Sequence, residues 1–446
     1  MIRTLMTCGL VLMVTACSSM PERNAAPANM VATQGVLTDP AIRIWGDVPY
    51  SIEQAIINES NRRDSFDLSL IVDEDGQRKP QHHLTISGGG ANGAYGAGIL
   101  NALSDSGERP EYRLVTGIST GAILGLYAFL GEEYDYKIKE LYTELSDEDL
   151  YDTRYVWQLF NSSSILNTEL FSERVRNEVN RELLDKVKHE YLRGRTFLVK
   201  TTNLDSQRPV IWNMGAIAMH DSEEAEQLFE NVIIASASIP GVFEPVQIPV
   251  YDGDQIYDEM HVDGGVISQV FFVPEGVDIG SYSAIEDRLL FKAGLTDLEE
   301  RTNHIWLINN GRSAATWRAT DPSLMAIMAR SIATMIKFQS RSNLALIYQQ
   351  SQEAGSSFNL SFIHNDVPDP ASDAPFNREY MRSMYCYGYV QGLDPEHWSH
   401  TLPDYDKLQN LHSEIDEDAD INTFDWNKVA VGLNAKIKEC LMGLTD

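Results

Sequence analysis

The sequence predicts an α/β fold, with helices packed on both sides of a mostly parallel sheet. Two strand–helix units follow one another between His82 and Gly131. "HHLTIS" leads into a small-residue helix that ends at Gly107, and "EYRLVTGIS" leads into the helix "STGAILGLYAFLG". Two such units in so short a stretch are typical of parallel sheets covered by helices. Further strands are predicted at "TFLVKTT", "PVIWNM", "EPVQIPVY" and "HIWLINN".

Additional helices are predicted in the C-terminal part of the chain, at Asp321–Gln350, Asn377–Val390 and Asn427–Leu441. The first has apolar residues at steps of three and four, which indicates an apolar face. We expect this face to lie in the core, although its methionines would also suit the lining of an acyl channel. The face consists of Leu324, Met328, Ile332, Met335 and Ile336.

The charge of the chain excludes one class of partner. Its 446 residues carry a formal net charge of −30 at pH 7. This argues against a nucleic-acid partner, because phosphate recognition depends on basic surface. The negative charge also does not favour binding to anionic lipid headgroups. Basic residues occur in short pairs such as Arg193 and Arg195. We interpret the acidity as a means of solubility.

The N-terminus has the pattern of an export signal. Arg3 precedes an apolar run from Leu5 to Val14, which is too short to span a bilayer permanently. The run ends in "VTAC", which resembles the lipobox of bacterial lipoproteins. That resemblance implies a signal peptide at residues 1–16, a lipid on Cys17 and, because Ser18 follows, an outer-membrane lipoprotein of the cell envelope facing the periplasm. The alternative is a plain cleaved signal with an incidental cysteine.

Two further cysteines, Cys386 and Cys440, are left once Cys8 and Cys17 are accounted for. They would be able to pair in an oxidising compartment, but two separate buried thiols are the favoured expectation. No spacing of cysteine and histidine suggests zinc or another metal. No cofactor is implied.

The second strand–helix junction contains Gly117-Ile118-Ser119-Thr120-Gly121, a G-x-S-x-G pattern. Glycines on both sides allow the strand to reverse into the helix in very little space. The Ser119 hydroxyl would then lie exposed at a tight turn beside a helix N-terminus, which favours the alkoxide character of a nucleophile.

The first junction, "TISGGGANGAYGAG", has two interpretations. Its glycines at 88, 90 and 93 satisfy the dinucleotide fingerprint G-x-G-x-x-G, which needs an acidic residue after the second strand. That strand ends in "GIS" instead, so the dinucleotide interpretation fails. The other interpretation is an oxyanion hole formed by backbone N–H groups, which we expect from Gly88, Gly89, Gly90 and Ala91.

Asp263 is followed by Gly264 and Gly265 in "HVDGGV". Alone, this pattern would indicate only a turn. Together with the two upstream motifs, it resembles the signature of the patatin-like phospholipases, and "ASASIPGVFEPV" at 235–246 is similar to another stretch of that family. The resemblance covers about residues 82–266.

The resemblance to patatin-like phospholipases implies a three-layer α/β/α core and a Ser–Asp dyad without a catalytic histidine. Ser119 would be the nucleophile, Asp263 the general base and the backbone of Gly88–Ala91 the oxyanion hole. Many members have Asp and Arg in the loop where this chain has Ser87 and Asn92. This departure bears on substrate preference more than on catalysis.

The expected activity is therefore that of a serine acyl hydrolase on lipid carboxylic esters. Alternatives are an esterase or thioesterase for soluble substrates, and a scaffold lipoprotein without activity. A Ser–Asp–His triad is a further alternative, in which the histidine would be His304, His364, His397, His400 or His412, while His261 is close to Asp263 in sequence.

The expected organisation has four parts. After the signal peptide, residues 17–80 form a tether and N-terminal extension, flexible to about residue 40 and helical around Ser51–Arg63. Residues 81–280 form the catalytic core, and residues 281–446 complete or cover it. The partners are a lipid or acyl-ester substrate and, through the anchor, a membrane; the sequence leaves the oligomeric state open.

Overall fold

The computed structural model contains eleven strands among the described residues, enriched in β-branched and aromatic residues; nine of them form the central sheet. The structure describes residues 23–28, 37, 39–48, 65–150, 152–153, 166–167, 169–273, 290–291, 294, 301–317, 319–364, 367, 376–404 and 431–444. The strands are β1 (Arg43–Trp45), β2 (Gln81–Ile86), β3 (Tyr112–Gly117), β4 (Asp152–Thr153), β5 (Leu166–Asn167), β6 (Thr196–Asn203), β7 (Arg208–Asn213), β8 (Val246–Asp252), β9 (Gln255–Asp263), β10 (Asn303–Asn309) and β11 (Ser357–Phe362).

The strand order in the large sheet is β1-β7-β6-β3-β2-β10-β11. Within this order, β6, β3, β2, β10 and β11 run parallel to one another. The strands β1, β7, β8 and β9 make antiparallel pairs, including those of β7 and β9 with β6. β4 and β5 form a separate small pair. The predicted α/β class with a mostly parallel central sheet is thus confirmed, and β10 and β11 from the C-terminal part complete the sheet.

Eleven α-helices are found in the part of the chain that the structure describes. They are α1 (Gly93–Asp105), α2 (Thr120–Leu130), α3 (Asp135–Thr143), α4 (Asp147–Leu150), α5 (Glu169–Glu178), α6 (Arg181–Arg193), α7 (Met214–Ala218), α8 (Glu223–Ser236), α9 (Leu324–Glu353), α10 (Arg378–Gly392) and α11 (Val431–Gly443). Short 3₁₀ turns lie at 68–70, 90–92, 132–134, 264–266 and 395–397.

The helices form two layers, one on each face of the sheet. The larger core cluster joins one face of the sheet to α1, α2, α8 and α10. The smaller cluster joins the other face to the second half of α9, through Leu344 and Ile347. The predicted three-layer arrangement therefore follows from two separate apolar cores.

The first half of α9 departs from the prediction. Its apolar face was expected in the core or in an acyl channel, but Leu324 and Met335 are 72% and 70% exposed. Met328, Ile332 and Ile336 are exposed as well, and none of the five lines the large cavity described below. Both interpretations of this stripe were wrong, because periodicity shows that a face is apolar but not what covers it.

Cys386 and Cys440 form a disulfide that joins α10 to α11, with 5.7 Å between the Cα atoms. The favoured expectation of two separate buried thiols was therefore wrong. The half-cystine in α10 is fully buried, and Ile437 of α11 packs into the larger core cluster. The bridge closes a sequence separation of 54 residues and fixes the C-terminal helix to the core.

Part of the predicted tether is docked on the protein. Arg23 forms an ion pair with Asp205, and Ala25 forms a bridge with Asp258 on β9. Asn24 Nδ2 also donates to the carbonyl of Ile256, at 2.6 Å. Residues 1–22, with the predicted signal peptide and Cys17, and the predicted helix at 51–63 lie outside the described residues. No helix among the described residues meets the length and hydropathy needed to cross a membrane.

β6 brings two distant parts of the chain together. One edge of β6 pairs with β3 as far as Gly117↔Val199, and beyond it the same edge pairs with β9 at Thr201↔Asp263. β3 and β9 run in opposite directions and therefore end facing each other. The residues that follow β3 meet the last residue of β9 at this point.

Candidate active site

Ser119 follows β3 and is the N-cap residue of α2. Its φ is +56° and its ψ −128°, a strained conformation for a residue with a side chain. The two flanking glycines are needed for space. A Cβ on Gly117 would lie 2.2 Å from the carbonyl oxygen of Gly121, and a Cβ on Gly121 would lie 2.3 Å from that of Ile86. The predicted tight turn with Ser119 at its tip is present.

Asp263 lies beside Ser119 at the end of β9. Its carboxylate accepts a hydrogen bond from the Gly265 N–H at 2.6 Å, and the neighbouring Ser119 hydroxyl acts to lower its pKa. Both side chains are buried, with 6% and 5% exposure. The main chain is close here too, since a Cβ on Gly264 would lie 2.5 Å from the carbonyl oxygen of Lys200. The structure therefore brings together two residues predicted from separate motifs.

The environment of Asp263 shifts its pKa strongly. Burial raises the pKa from 3.8 to about 7, against the lowering effect of the hydrogen bonds from Ser119 and Gly265. Burial disfavours the charged carboxylate, so the proton is held more tightly. A carboxyl with a pKa near 7 is a far better proton acceptor for a serine hydroxyl at neutral pH than an ordinary aspartate.

The glycine loop lies against Ser119. A Cβ on Gly88 would be 3.3 Å from the Cβ of Ser119, and Gly90 lines the same cavity as Ser119. The Gly88 N–H is occupied, however, by the carbonyl oxygen of Gln269 at 3.0 Å. The structure thus does not support Gly88 as a donor to a substrate. The N–H groups of Gly89, Gly90 and Ala91, at the start of the 3₁₀ turn, precede the first internal hydrogen bond of that turn.

Ser87 and Asn310 hold the loop from behind. Asn310 donates from its backbone N–H to Ser87 Oγ at 2.8 Å, and its side chain bonds the Ser87 carbonyl and the Gly96 N–H. A Cβ on Gly89 would lie 2.6 Å from the Cβ of Asn310, so the loop packs directly on this residue. Asn310 was missed by the sequence analysis; a polar pair at the end of the strand "HIWLINN" was the only available signal.

Ser236 supports the turn at Ser119. Its hydroxyl accepts from the Ser119 N–H at 3.0 Å and donates to the Lys200 carbonyl at 2.9 Å. Ser236 lies in "ASASIPGVFEPV", which the sequence analysis noted without assigning a role to any residue. The hydrogen bonds link the end of α8 to both β6 and the nucleophile turn.

A cavity opens beside Ser119 and Gly90. Its wall comes mainly from α2, α3, α5, the segment after α8, and α10, and is mostly apolar; the residues with polar groups besides Ser119 are Thr120, Tyr127, Tyr142, Arg174 and Glu178. The apolar lining consists of Ile123, Leu126, Leu141, Leu145, Leu150, Phe171, Val175, Val179, Ile233, Ala237, Ile239, Phe243, Phe376 and Met381. Such a cavity suits an aliphatic chain whose ester end lies at Ser119.

Comparison with protein families now identifies this region. Residues 84–274 match the family model described as patatin-like phospholipase. This segment is therefore similar to the patatin-like phospholipases. The resemblance predicted from three motifs is thereby confirmed, and the match supports lipid acyl hydrolase activity in general terms.

Comparison with individual proteins adds distant likenesses. VipD from Legionella pneumophila is 12% identical with a TM-score of 0.33, over 74% of this chain and 70% of that one. Human GIVD cytosolic phospholipase A2 is 10% identical with a TM-score of 0.30, over 90% of this chain and 66% of that one. No curated protein matches the chain.

Both departures of the patatin-like segment from the family motif have structural partners. Ser87 is part of the Asn310 network described above. Asn92 accepts a hydrogen bond from the Tyr380 hydroxyl at 2.6 Å, and Tyr380 in turn accepts from Arg312 at 3.4 Å. These side-chain hydrogen bonds connect the glycine loop to α10 and to the segment after β10.

The histidines do not complete a triad with Ser119 and Asp263 among the described residues. His261 is fully buried, and its ring nitrogens are taken by Thr201 Oγ1 at 2.9 Å and Glu259 Oε2 at 3.1 Å. His304 bonds Ser357 at 2.7 Å on the far end of β10. His364, His397 and His400 have other ring or backbone contacts, and His412 lies outside the described residues. The described residues also contain no cluster suited to a metal ion.

Proposed function

We propose that the protein is a serine acyl hydrolase that cleaves carboxylic esters of lipids, with Ser119 as nucleophile and Asp263 as general base. The observation that carries the proposal is the adjacency of these two buried side chains, with Ser119 on the wall of an apolar cavity. The reaction is that of a phospholipase A or a related lipid acyl hydrolase. The alternative of a scaffold without activity does not account for a strained serine paired with a carboxyl of raised pKa.

The chemistry follows from the geometry. Ser119 Oγ attacks the ester carbonyl carbon while its proton passes to Asp263. The carbonyl oxygen becomes an oxyanion, which the N–H groups of Gly89, Gly90 and Ala91 stabilise. The intermediate collapses, and the leaving alcohol takes the proton from Asp263. Water then attacks the acyl-serine, again losing a proton to Asp263, and the carboxylic acid leaves with Ser119 restored.

The cavity favours a lipid over a small soluble ester. Its apolar wall would receive the acyl chain, and burial of each methylene contributes about 0.8 kcal/mol. A short acyl group would leave most of this wall in contact with water. We therefore infer a long-chain acyl ester as the substrate and propose that it is a glycerophospholipid.

A fluorophosphonate probe with peptide mapping tests the nucleophile. The full chain is expected to be labelled at Ser119, and Ser119→Ala should abolish labelling and lower kcat/KM by about 10⁴-fold or more. Asp263→Asn should slow labelling strongly, because the serine loses its proton acceptor. Ser106→Ala, at an exposed serine after α1, serves as the matched control and should behave like the parent.

Two outcomes would count against the proposal. Equal labelling of the Ser119→Ala variant would remove the nucleophile from this position. Faster turnover of short soluble esters than of dispersed phospholipid would favour the esterase alternative, since the same dyad serves both substrates.

We further propose that Cys17 is lipidated and that the protein is a lipoprotein of the bacterial cell envelope, in the outer membrane. The support is the "VTAC" pattern after a short apolar run. Docking of Arg23 and Asn24 on the protein leaves only five residues, 18–22, between the proposed anchor and the folded part. Such an anchor would hold the enzyme close to a lipid substrate.

A further inference from the structure

The first half of α9 is an exposed apolar surface. Between Leu324 and Phe338 the helix exposes large apolar side chains on several sides, in contrast to the second half, where Leu344 and Ile347 are buried. Trp317, in the segment before the helix, is 81% exposed. The exposed apolar side chains of this half are those of Leu324, Ile327, Met328, Ile332, Met335, Ile336 and Phe338, and we call them with Trp317 the α9 surface. A group of large apolar side chains exposed together on a folded protein indicates an interaction site.

The charge of α9 is opposite to that of the chain. The protein has a net charge of −30, yet residues 324–352 contain Arg330, Lys337 and Arg341 and no acidic residue. Arg330 and Lys337 hydrogen-bond Thr316, which draws the segment carrying Trp317 alongside the helix. A helix that combines exposed apolar residues with basic ones, and an aromatic residue beside it, has the composition of segments that lie in the interface of a membrane.

The α9 surface borders the catalytic site. Gln339, immediately after its last residues, donates to the carbonyl of Ile267 at 2.5 Å and accepts from Gln269 Nε2 at 2.9 Å. Val266, three residues after Asp263, is 45% exposed, and its carbonyl accepts a hydrogen bond from Gln339 Nε2 at 3.3 Å. At 1.5 Å per residue, Met335 lies about 6 Å along the helix from Gln339. Lipid bound by the α9 surface would therefore be adjacent to the rim of the site.

We propose that the α9 surface docks the protein on a phospholipid bilayer, with anionic lipids favoured. The apolar side chains would enter the boundary between headgroups and acyl chains, and Arg330 and Lys337 would lie near lipid phosphates. This goes beyond the proposed function, because docking requires neither Ser119 nor Asp263. It supplies the local basic patch that the overall charge of the protein lacks.

Dye-labelled single cysteines test the docking directly. The parent is the full chain with Cys8→Ser, Cys17→Ser and Ser119→Ala, which has no lipid anchor and does not hydrolyse the vesicles. Met335→Cys and Ile256→Cys each carry an environment-sensitive dye; Ile256, on β9, is 53% exposed and serves as the control position. Vesicles of phosphatidylcholine, with or without phosphatidylglycerol, are added to each.

A blue shift of the dye emission is expected at 335, larger with phosphatidylglycerol and reduced by salt, and no shift is expected at 256. An unchanged emission at 335, or equal shifts at both positions, would overturn the proposal. A blue-shifted emission at 335 before vesicles are added would also overturn it. If that emission depends on protein concentration, a second copy covers the surface; if it does not, another segment of this chain covers it.

A second pair of variants connects docking to activity in the catalytically intact chain. Ile332→Glu combined with Met335→Glu should lower hydrolysis of anionic vesicles by about tenfold or more, because charged side chains oppose insertion. Hydrolysis of a short soluble ester should stay unchanged. Ile256→Glu, at a position as exposed as Ile332, should alter neither rate. Equal vesicle hydrolysis by both variants would count against docking, whereas absence of any esterase activity would count only against the proposed function.

Discussion

The Asp263 carboxyl combines two roles that oppose each other. Burial at the end of β9, beside Ser119, raises its pKa to about 7. In the proposed mechanism the raised pKa matches this carboxyl to neutral pH as a base, and it also means that the ionised form is costly in the folded protein. Activity and stability should therefore respond to this one residue in opposite directions.

The rate should rise with pH through the Asp263 titration. Only the carboxylate accepts the serine proton, so kcat/KM is expected to fall about tenfold for each pH unit below 7 and to level off above it. A pH profile of kcat/KM on a soluble ester measures this pKa in the free enzyme. A profile with its midpoint near 4 would show that Asp263 is not the base or is not desolvated.

Asp263→Asn should stabilise the protein at alkaline pH. The folded-state pKa of about 7 lies above the unfolded value of about 3.8, so the contribution of Asp263 to stability is greatest below pH 4 and is lost as the pH rises through 7. This interval corresponds to at most roughly 4 kcal/mol. Denaturant unfolding should show Asp263→Asn more stable than the parent at pH 8 but not at pH 4. Asp254→Asn, an exposed control on the same hairpin, should leave both values unchanged.

At this scale the sequence predicted the two candidate residues that the structure brings together, but not the residues that support them. Ser119 and Asp263 were found because tight turns need glycines at fixed positions, which leaves a visible pattern. Ser236 and Asn310 were not assigned a role, because a buried serine or asparagine is recognisable only by the groups that it bonds. The occupied N–H of Gly88 was likewise invisible, since its partner Gln269 is 181 residues away in sequence.

Among the elements, β9 and α9 show where sequence patterns lose information. β9 carries two buried polar residues, Glu259 and His261, that bond each other, and Glu259 also accepts a hydrogen bond from Arg43. Its sequence therefore lacks the apolar alternation that signals a strand. α9 has clear helical periodicity and its helix was predicted, but its first half meets no core. A pattern specifies the shape of an element more reliably than its surroundings.

The disulfide between α10 and α11 should contribute substantially to stability. Closing a separation of 54 residues restricts the unfolded chain, which corresponds to about 4 kcal/mol in the loop-entropy account. Cys440→Ser is expected to lower the free energy of unfolding by about this amount, measured by denaturant titration. A reducing agent should destabilise the parent to a similar extent and leave Cys440→Ser unaffected. Equal stability of parent and variant under oxidising conditions would show that the bridge does not constrain the chain.

The whole molecule combines an acidic exterior with two features directed towards lipid. One is the proposed anchor at Cys17, and the other is the α9 surface. The order of strands, with β10 and β11 at one side of the parallel sheet, was only partly predictable, because long-range pairing leaves no trace in local patterns. The fold class was predictable because the strand–helix alternation is local.

Cys17 lipidation can be tested at the scale of the intact protein. In a bacterial host fed an azide-bearing fatty acid, the full chain should incorporate the label and fractionate with the outer membrane. Cys17→Ser should remove the label, and the matched variant Cys8→Ser should retain it, because Cys8 lies within the predicted signal peptide. Labelling that persists in Cys17→Ser would place the lipid elsewhere or refute the lipobox interpretation.

Gln269 has one further consequence. Its backbone carbonyl holds the Gly88 N–H, its backbone N–H bonds Asn343, and its side chain bonds Gly265 and Gln339. Gln269 therefore connects the glycine loop, the turn after Asp263 and α9. A displacement of α9 by more than a hydrogen-bond length would either break these contacts or move the glycine loop and the Asp263 turn with it, so motion of α9 is coupled to the candidate active site.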